Sequence, residues 1–124
     1  MSEKPTILYV DDEPINLQLF SIHTSKLYNV LTAENGIDGL NVLLENHHVS
    51  VVLSDMKMPG MNGLEFIREA RKMHPCKFYF ILTGYDITNE IAEAIEHKTI
   101  VNYYRKPYKP AVILEVIEQC LAHS

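Results

Sequence analysis

Four short apolar runs constrain this chain more than any other feature: residues 7–10, 49–53, 78–82 and 100–104. Each is bounded by polar or turn residues and is too short for a buried helix. Each therefore reads as a strand covered on both faces, as in a parallel sheet. Residues 29–33 read as a fifth, weaker strand. Segments of helical length and pattern lie between them. The first, 14–26, opens with Pro14, which suits a first helical turn. Ile37, Leu40 and Leu44 mark a helix over 36–45, and Leu64, Ile67, Ala70 and Met73 mark one over 62–73. Ile87, Ile91, Ala94 and Ile95 mark a helix over 87–97, and 110–121 forms the last. Strand and helix alternate five times. That order predicts an α/β fold: a doubly wound, five-stranded parallel sheet with right-handed crossovers and helices on both faces. The 124 residues, 47% of them hydrophobic, suit a single domain over 1–124 with a self-sufficient core.

In open sheets of this kind the ligand site lies outside the carboxyl ends of the strands. Asp11, Asp12 and Glu13 follow the first strand, and Asp55 follows the third. Thr83 and Gly84 follow the fourth, and Lys106 and Pro107 follow the last. Several carboxylates crowded into a water-poor cleft are costly unless a cation joins them. An all-oxygen site with few protein ligands suits Mg²⁺. Lys106 adds a second positive charge, so an anion bridging metal and ammonium is the natural guest, and a phosphoryl group fits best. Asp55 can be the nucleophile, because carboxylates form acyl phosphates. Each element alone has an ordinary explanation. An Asp pair at a strand end is commonly a solvated turn, a Thr a helix cap, and a Lys before Pro an exposed charge. Their joint placement, in order, at four strand ends is what carries the argument.

The motifs are Val10-Asp11-Asp12-Glu13-Pro14, the stretch Ser54-Asp55-Met56-Lys57-Met58-Pro59-Gly60-Met61-Asn62-Gly63, then Ile81-Leu82-Thr83-Gly84 and Tyr103-Tyr104-Arg105-Lys106-Pro107. In these, and across nearly its whole length, the chain resembles the receiver domains of response regulators, of the chemotaxis-regulator type. The resemblance implies a flavodoxin-like fold and a cytoplasmic phosphoacceptor switch of a two-component or phosphorelay system. On that reading Asp55 accepts the phosphoryl group from a histidine kinase or a histidine phosphotransfer protein. Asp12 would bind Mg²⁺ directly (Mn²⁺ could substitute), Asp11 through water, and Asp55 and the Lys57 carbonyl would complete the protein ligands. Thr83 and Lys106 would hold phosphoryl oxygens, with Thr83 and Tyr103 as switch residues. They would relay the change to the fourth helix, last strand and last helix, where an output domain, a downstream protein or a second copy would read it. The Lys106–Pro107 bond would be cis. Lys57 and Tyr85 would rim the pocket and control dephosphorylation; such a pairing implies slow phosphate loss. The chain would catalyse its own phosphorylation and dephosphorylation and turn over no separate substrate.

A net charge of −5 argues against direct contact with nucleic acid, which needs a basic patch. No apolar run approaches the roughly 20 residues of a membrane span, and residues 1–6 are no signal peptide. Cys76 and Cys120 lack metal-ligand spacing and read as free thiols. None of the six histidines neighbours an acid–base or metal pattern. Asn16 and His23 share a helix face with Leu19, Phe20 and Leu27, and both are expected to be partly buried and hydrogen-bonded. Met56, Met58 and Met61, which flank the site loop, read as packing residues or exposed contacts rather than a cofactor box. Val112, Ile113, Leu114, Val116, Ile117, Cys120 and Leu121 cover more than half of the last helix, wider than docking on one sheet face needs; the helix is either a generously apolar packing helix or, as expected here, a partner surface. Two rival functions remain. A haloacid-dehalogenase-like phosphatase would use Asp11 as nucleophile, but it expects Asp at position 13 and acids soon after Lys106. A phosphorylation-independent receiver-like module usually lacks one of the site residues, all of which are present. A nucleotide-binding flavodoxin-like protein would need a glycine-rich loop after the first strand, which is absent.

Overall fold

The computed structural model describes residues 4–84 and 88–122. Strands β1 (Thr6–Val10), β2 (Asn29–Ala33), β3 (Val49–Asp55), β4 (Phe78–Thr83) and β5 (Asn102–Arg105) alternate with five helices. These are α1 (Pro14–Thr24), α2 (Gly36–Glu45), α3 (Gly63–Met73), α4 (Asn89–Glu96) and α5 (Pro110–Ala122). The strands form one parallel sheet in the order β2-β1-β3-β4-β5, the doubly wound architecture expected from the alternation. The chain winds outward from β1 to β2, then returns to place β3 on the other side of β1. The crevice of such a sheet opens where the winding reverses, at the carboxyl ends of β1 and β3. Asp11 and Asp55 stand at those two ends.

Alternation of side chains along each strand splits the core into two layers. Leu8, Val10, Val52 and Ile81 face Leu43, Leu64, Phe66, Ile67 and Ile91 of α2, α3 and α4. Ile7, Tyr9, Val51, Leu53, Phe80 and Leu82 face Leu17 and Phe20 of α1 and Ile113 and Ile117 of α5. Local signals fix the helix starts. The Asn62 side chain accepts from the Glu65 N–H, and the Glu65 carboxylate accepts from the Asn62 N–H. This reciprocal pair satisfies two otherwise orphaned donors at the start of α3, directly after the Asp55 loop. Asn35 and Thr88 cap α2 and α4.

Four expectations change. The last strand begins at Asn102, not at residue 100, and is only half covered. Ile100 is buried, but its N–H turns to Ala94 O, and ladder pairing starts at Phe80–Asn102. As an edge strand β5 lacks a neighbour on one side, so the apolar run marked burial rather than pairing. The first helix stops at Thr24, whose hydroxyl donates to Phe20 O. The broad apolar arc of α5 is mostly used inside the chain. Ile113 and Ile117 are buried, and Leu114, Val116, Cys120 and Leu121 are half-buried, because α5 packs on α1 as well as on the sheet. Only Val112 stays well exposed, so the surface left for a partner is smaller than the sequence suggested. The methionines pack as expected: Met58 is buried, and Met56 and Met61 lie against the α2–α4 layer. His23, expected to be partly buried, is exposed.

Candidate functional site

The carboxyl edge of the sheet opens into a cleft of about 630 Å³, lined chiefly by Asp12, Asn16, Asp55, Lys57, Gly84 and Lys106. Asp11, Asp12 and Asp55 each bring one carboxylate oxygen within 4.8 Å of the others. The Lys106 ammonium donates to Asp11 Oδ2 at 2.7 Å and lies 3.3 Å from Asp55 Oδ1. Three carboxylates against one ammonium leave an excess of negative charge. Hard oxygen donors with that excess suit a divalent cation of the Mg²⁺ kind.

The two carboxylates that share Lys106 differ sharply in their surroundings. Asp11 is completely buried. Its Oδ1 accepts from the Glu13 N–H at 3.0 Å; its Oδ2 accepts from Tyr9 Oη at 2.6 Å, Asn16 Nδ2 at 3.3 Å and Lys106. Burial works to raise its pKa, but donation from Lys106, Tyr9 and Glu13, with the Lys106 charge, outweighs burial and holds Asp11 below the usual carboxylate value. Burial raises Asp55 as well, and the nearby charge of Asp11 adds to it. Lys106 and the Met56 N–H oppose the rise without cancelling it, so Asp55 sits above the usual value. Asp12 is half-buried at the cleft wall.

Backbone bonds fix the loops around these groups. The Asp11 N–H donates to Ala33 O, Met56 N–H to Leu82 O, Gly63 N–H to Met56 O, and Lys106 N–H to Thr83 O. Gly63 is required by space. A Cβ there would strike the backbone oxygen of Asp55 and stand 2.9 Å from Ile81 Cδ1. Thr83 is buried at the end of β4. Ile81 pairs with Tyr103, and Thr83 lies two residues on from Ile81, so Thr83 and Tyr103 share one sheet face. Tyr103 is half-buried against the α2–α4 layer. The Lys106–Pro107 peptide bond is cis. Lys57 is exposed on the cleft rim. Tyr85 lies outside the described residues.

The fold thus brings Asp11, Asp12, Asp55, Lys57 and Lys106 to one cleft edge, with Thr83 beside them at the end of β4. Sequence reasoning passed over Tyr9. The signal was present: a tyrosine inside a buried strand needs a partner for its hydroxyl, and period-2 geometry puts that hydroxyl on the same face as Asp11. Asn16, expected only to be partly buried and hydrogen-bonded, reaches Asp11. Tyr108 also faces this region, its pKa pushed up to about 12 by burial and then by Asp11.

Comparison with known proteins agrees with this arrangement. The sequence profile of the response regulator receiver domain matches residues 7–118. Transcriptional regulatory protein GlrR of Escherichia coli is 34% identical over 100% of this chain and 28% of its own length. A chemotaxis protein CheY homolog of Campylobacter jejuni is 30% identical over 93% of this chain and 91% of its own. The crystal structure of a response regulator receiver domain protein from Clostridium thermocellum superposes with a TM-score of 0.89 at 31% identity, covering 95% of this chain and 94% of that one. The chain spans about a quarter of the length of the first curated relatives it matches. Among the described residues, no helix is long and apolar enough to cross a membrane.

Proposed function

Because the chain belongs to the response regulator receiver domain family, we propose that it is a phosphoacceptor switch in which Asp55, with Mg²⁺, takes a phosphoryl group from a phosphohistidine. The observation that carries this reading is the Lys106 ammonium set between Asp11 and Asp55 beside a third carboxylate. Asp12 would hold the ion directly, and Asp55 and the Lys57 carbonyl would complete the protein ligands. Asp11 would act through water: its Oδ2 already carries three donors, while its Oδ1, with one, can still accept a water O–H. A bound Mg²⁺ would supply positive charge that offsets the carboxylates and favours the approach of an anionic phosphoryl group. An Asp55 carboxylate oxygen forms the new O–P bond as the P–N bond to the donor imidazole breaks, and the imidazole nitrogen keeps the electron pair. Lys106 then pairs with one phosphoryl oxygen and Thr83 donates to another. Movement of Thr83 toward the phosphoryl group changes the space beside the Tyr103 ring on the same sheet face. A charge event at Asp55 so becomes a change on the surface of α4, β5 and α5.

The same engagement of Asp11 by four donors speaks against the phosphatase alternative, in which Asp11 would have to be a free nucleophile. The donor is a histidine kinase or histidine phosphotransfer protein in the cytoplasm. The reader is an output domain, a downstream protein or a second copy, without direct contact between this domain and nucleic acid. Incubation with a small phosphodonor and Mg²⁺ should add one acid-labile phosphoryl group, and Asp55→Asn should abolish it. Full labelling of that variant on another aspartate would sink the assignment. We further propose a slow return: the Lys57 stem on the cleft rim, with Tyr85 as read from sequence, screens the phosphoryl group from water. Replacing Lys57 by Asn and Tyr85 by Glu should speed decay of the labelled domain. Decay of the double variant at the wild-type rate would remove the shielding argument.

A further inference from the structure

Resting on the phosphoacceptor reading of Asp55, we propose that Tyr9, assisted by Asn16, is a positioning residue. It sets how firmly Asp11 holds the Lys106 ammonium, and so how readily that ammonium transfers to a phosphoryl oxygen on Asp55.

Tyr9 lies in mid-strand among Ile7, Val51, Leu53 and Phe80, where an aliphatic side chain would serve the core as well. It is 1% exposed, and the Phe20 ring sits 4.5 Å from its own, tilted by 40°. The ring is thereby held, and its hydroxyl points along the strand to Asp11, two residues on and on the same face. Asp11 Oδ2 then receives three donors: Tyr9 Oη, Asn16 Nδ2 and Lys106 Nζ. A carboxylate oxygen has two lone-pair directions, so the three compete for it. The two neutral donors take up part of the charge that would otherwise bind the ammonium. The Lys106 backbone is fixed through its N–H to Thr83 O at 2.8 Å, so the ammonium moves by swinging its stem. It already lies 3.3 Å from Asp55 Oδ1, and the transfer is short. Asn16 stands between two cavities, the site cleft and a second one of about 410 Å³ that Tyr9 and Lys106 also line.

Without the Tyr9 hydroxyl a lone pair returns to Lys106, which is then held more tightly at Asp11. Tyr9→Phe removes one oxygen and keeps the ring, so the core stays filled. Labelling by a small phosphodonor with Mg²⁺ should slow about tenfold, the scale of one hydrogen bond to a charged acceptor. Asn16→Ala, whose bond is longer, should slow it by roughly threefold on the same scale. If the effect runs through Lys106, then in a Lys106→Ala background Tyr9→Phe should change the rate less than about twofold. A readout free of labelling is the exchange of the Lys106 ammonium protons with water, followed by nitrogen-resolved NMR. In Tyr9→Phe that exchange should slow. Unchanged labelling and unchanged exchange would overturn the proposal, as would an undiminished effect in the Lys106→Ala background. Labelling of Asp55→Asn would instead defeat the acceptor reading, and the ammonium exchange would still test Tyr9.

Discussion

The ends of β1 and β3 offer one carboxylate each to the same ammonium, and the two are built in opposite ways. At the end of β1, Asp11 is buried by its neighbours and given four donors, so its charged form is favoured. At the end of β3, Asp55 is nearly as deep, with 13% of its side chain exposed, but it has fewer compensating partners and its charged form is disfavoured. Burial alone therefore does not decide the state of a carboxylate; the donors that come with burial do. A well-compensated carboxylate is suited to hold other groups in place. An under-compensated one gains from an incoming cation or a new covalent partner, which is what a phosphoacceptor requires.

The contrast can be broken most strongly at Asp11. Asp11→Ala should cost about 3 kcal/mol of folding stability, because it leaves the buried Tyr9 hydroxyl without its acceptor and takes from Lys106 the nearer of its two carboxylates. A denaturant midpoint close to wild type would show that the β1 end is not held by this network. On the β3 side, Gly63→Ala pushes a Cβ against the backbone oxygen of Asp55. It should cost roughly 1–3 kcal/mol as an overpacking change and impair labelling more than its stability loss explains. Normal stability with normal labelling would mean that the loop yields freely.

Asp55→Asn should go the other way. Removing a charge that folding disfavours should raise the melting temperature at neutral pH in metal-free buffer, by contrast with Asp11→Ala. A lower melting temperature would contradict the difference between the two ends. The finest test is the pH dependence of stability without metal. Asp55, raised in the fold, makes the native state bind more protons, so stability increases as pH falls through its elevated folded value toward the ordinary Asp value of 3.8. Asp11, lowered in the fold, contributes stability above that ordinary value and loses it as pH falls further, through its depressed folded value. The Asp55 contribution should vanish in Asp55→Asn while the acid loss remains. Identical melting profiles for both proteins would remove the distinction.

Much of this was legible from local pattern. The alternation of apolar runs with helical segments is a property of short windows, so the number of elements and their kinds followed from it. The acids after β1 and β3, Thr83 and Lys106 were legible for the same reason: position relative to a strand end is local. Boundaries were less so. The run over 100–104 recorded that Ile100 is buried, but not that its N–H bonds to Ala94 in place of a neighbouring strand. The apolar arc of α5 recorded that it needs cover, but not that α1 supplies much of it.

What the amino-acid order determined by itself is which groups stand at the carboxyl edge, because helix and strand periodicity fix the direction of each element. Only the tertiary structure decided how those groups share charge. Lys106 meets Asp11 across 95 positions of sequence, and Tyr9 is a donor rather than a filler because Phe20 of α1 closes over its ring. Asp11 rather than Asp12 turns inward because the β1 pleat directs Tyr9 and Asp11 to one face. Such distinctions depend on ångström distances between elements remote in the chain, and electrostatic energy in a poorly screened interior changes steeply over those distances.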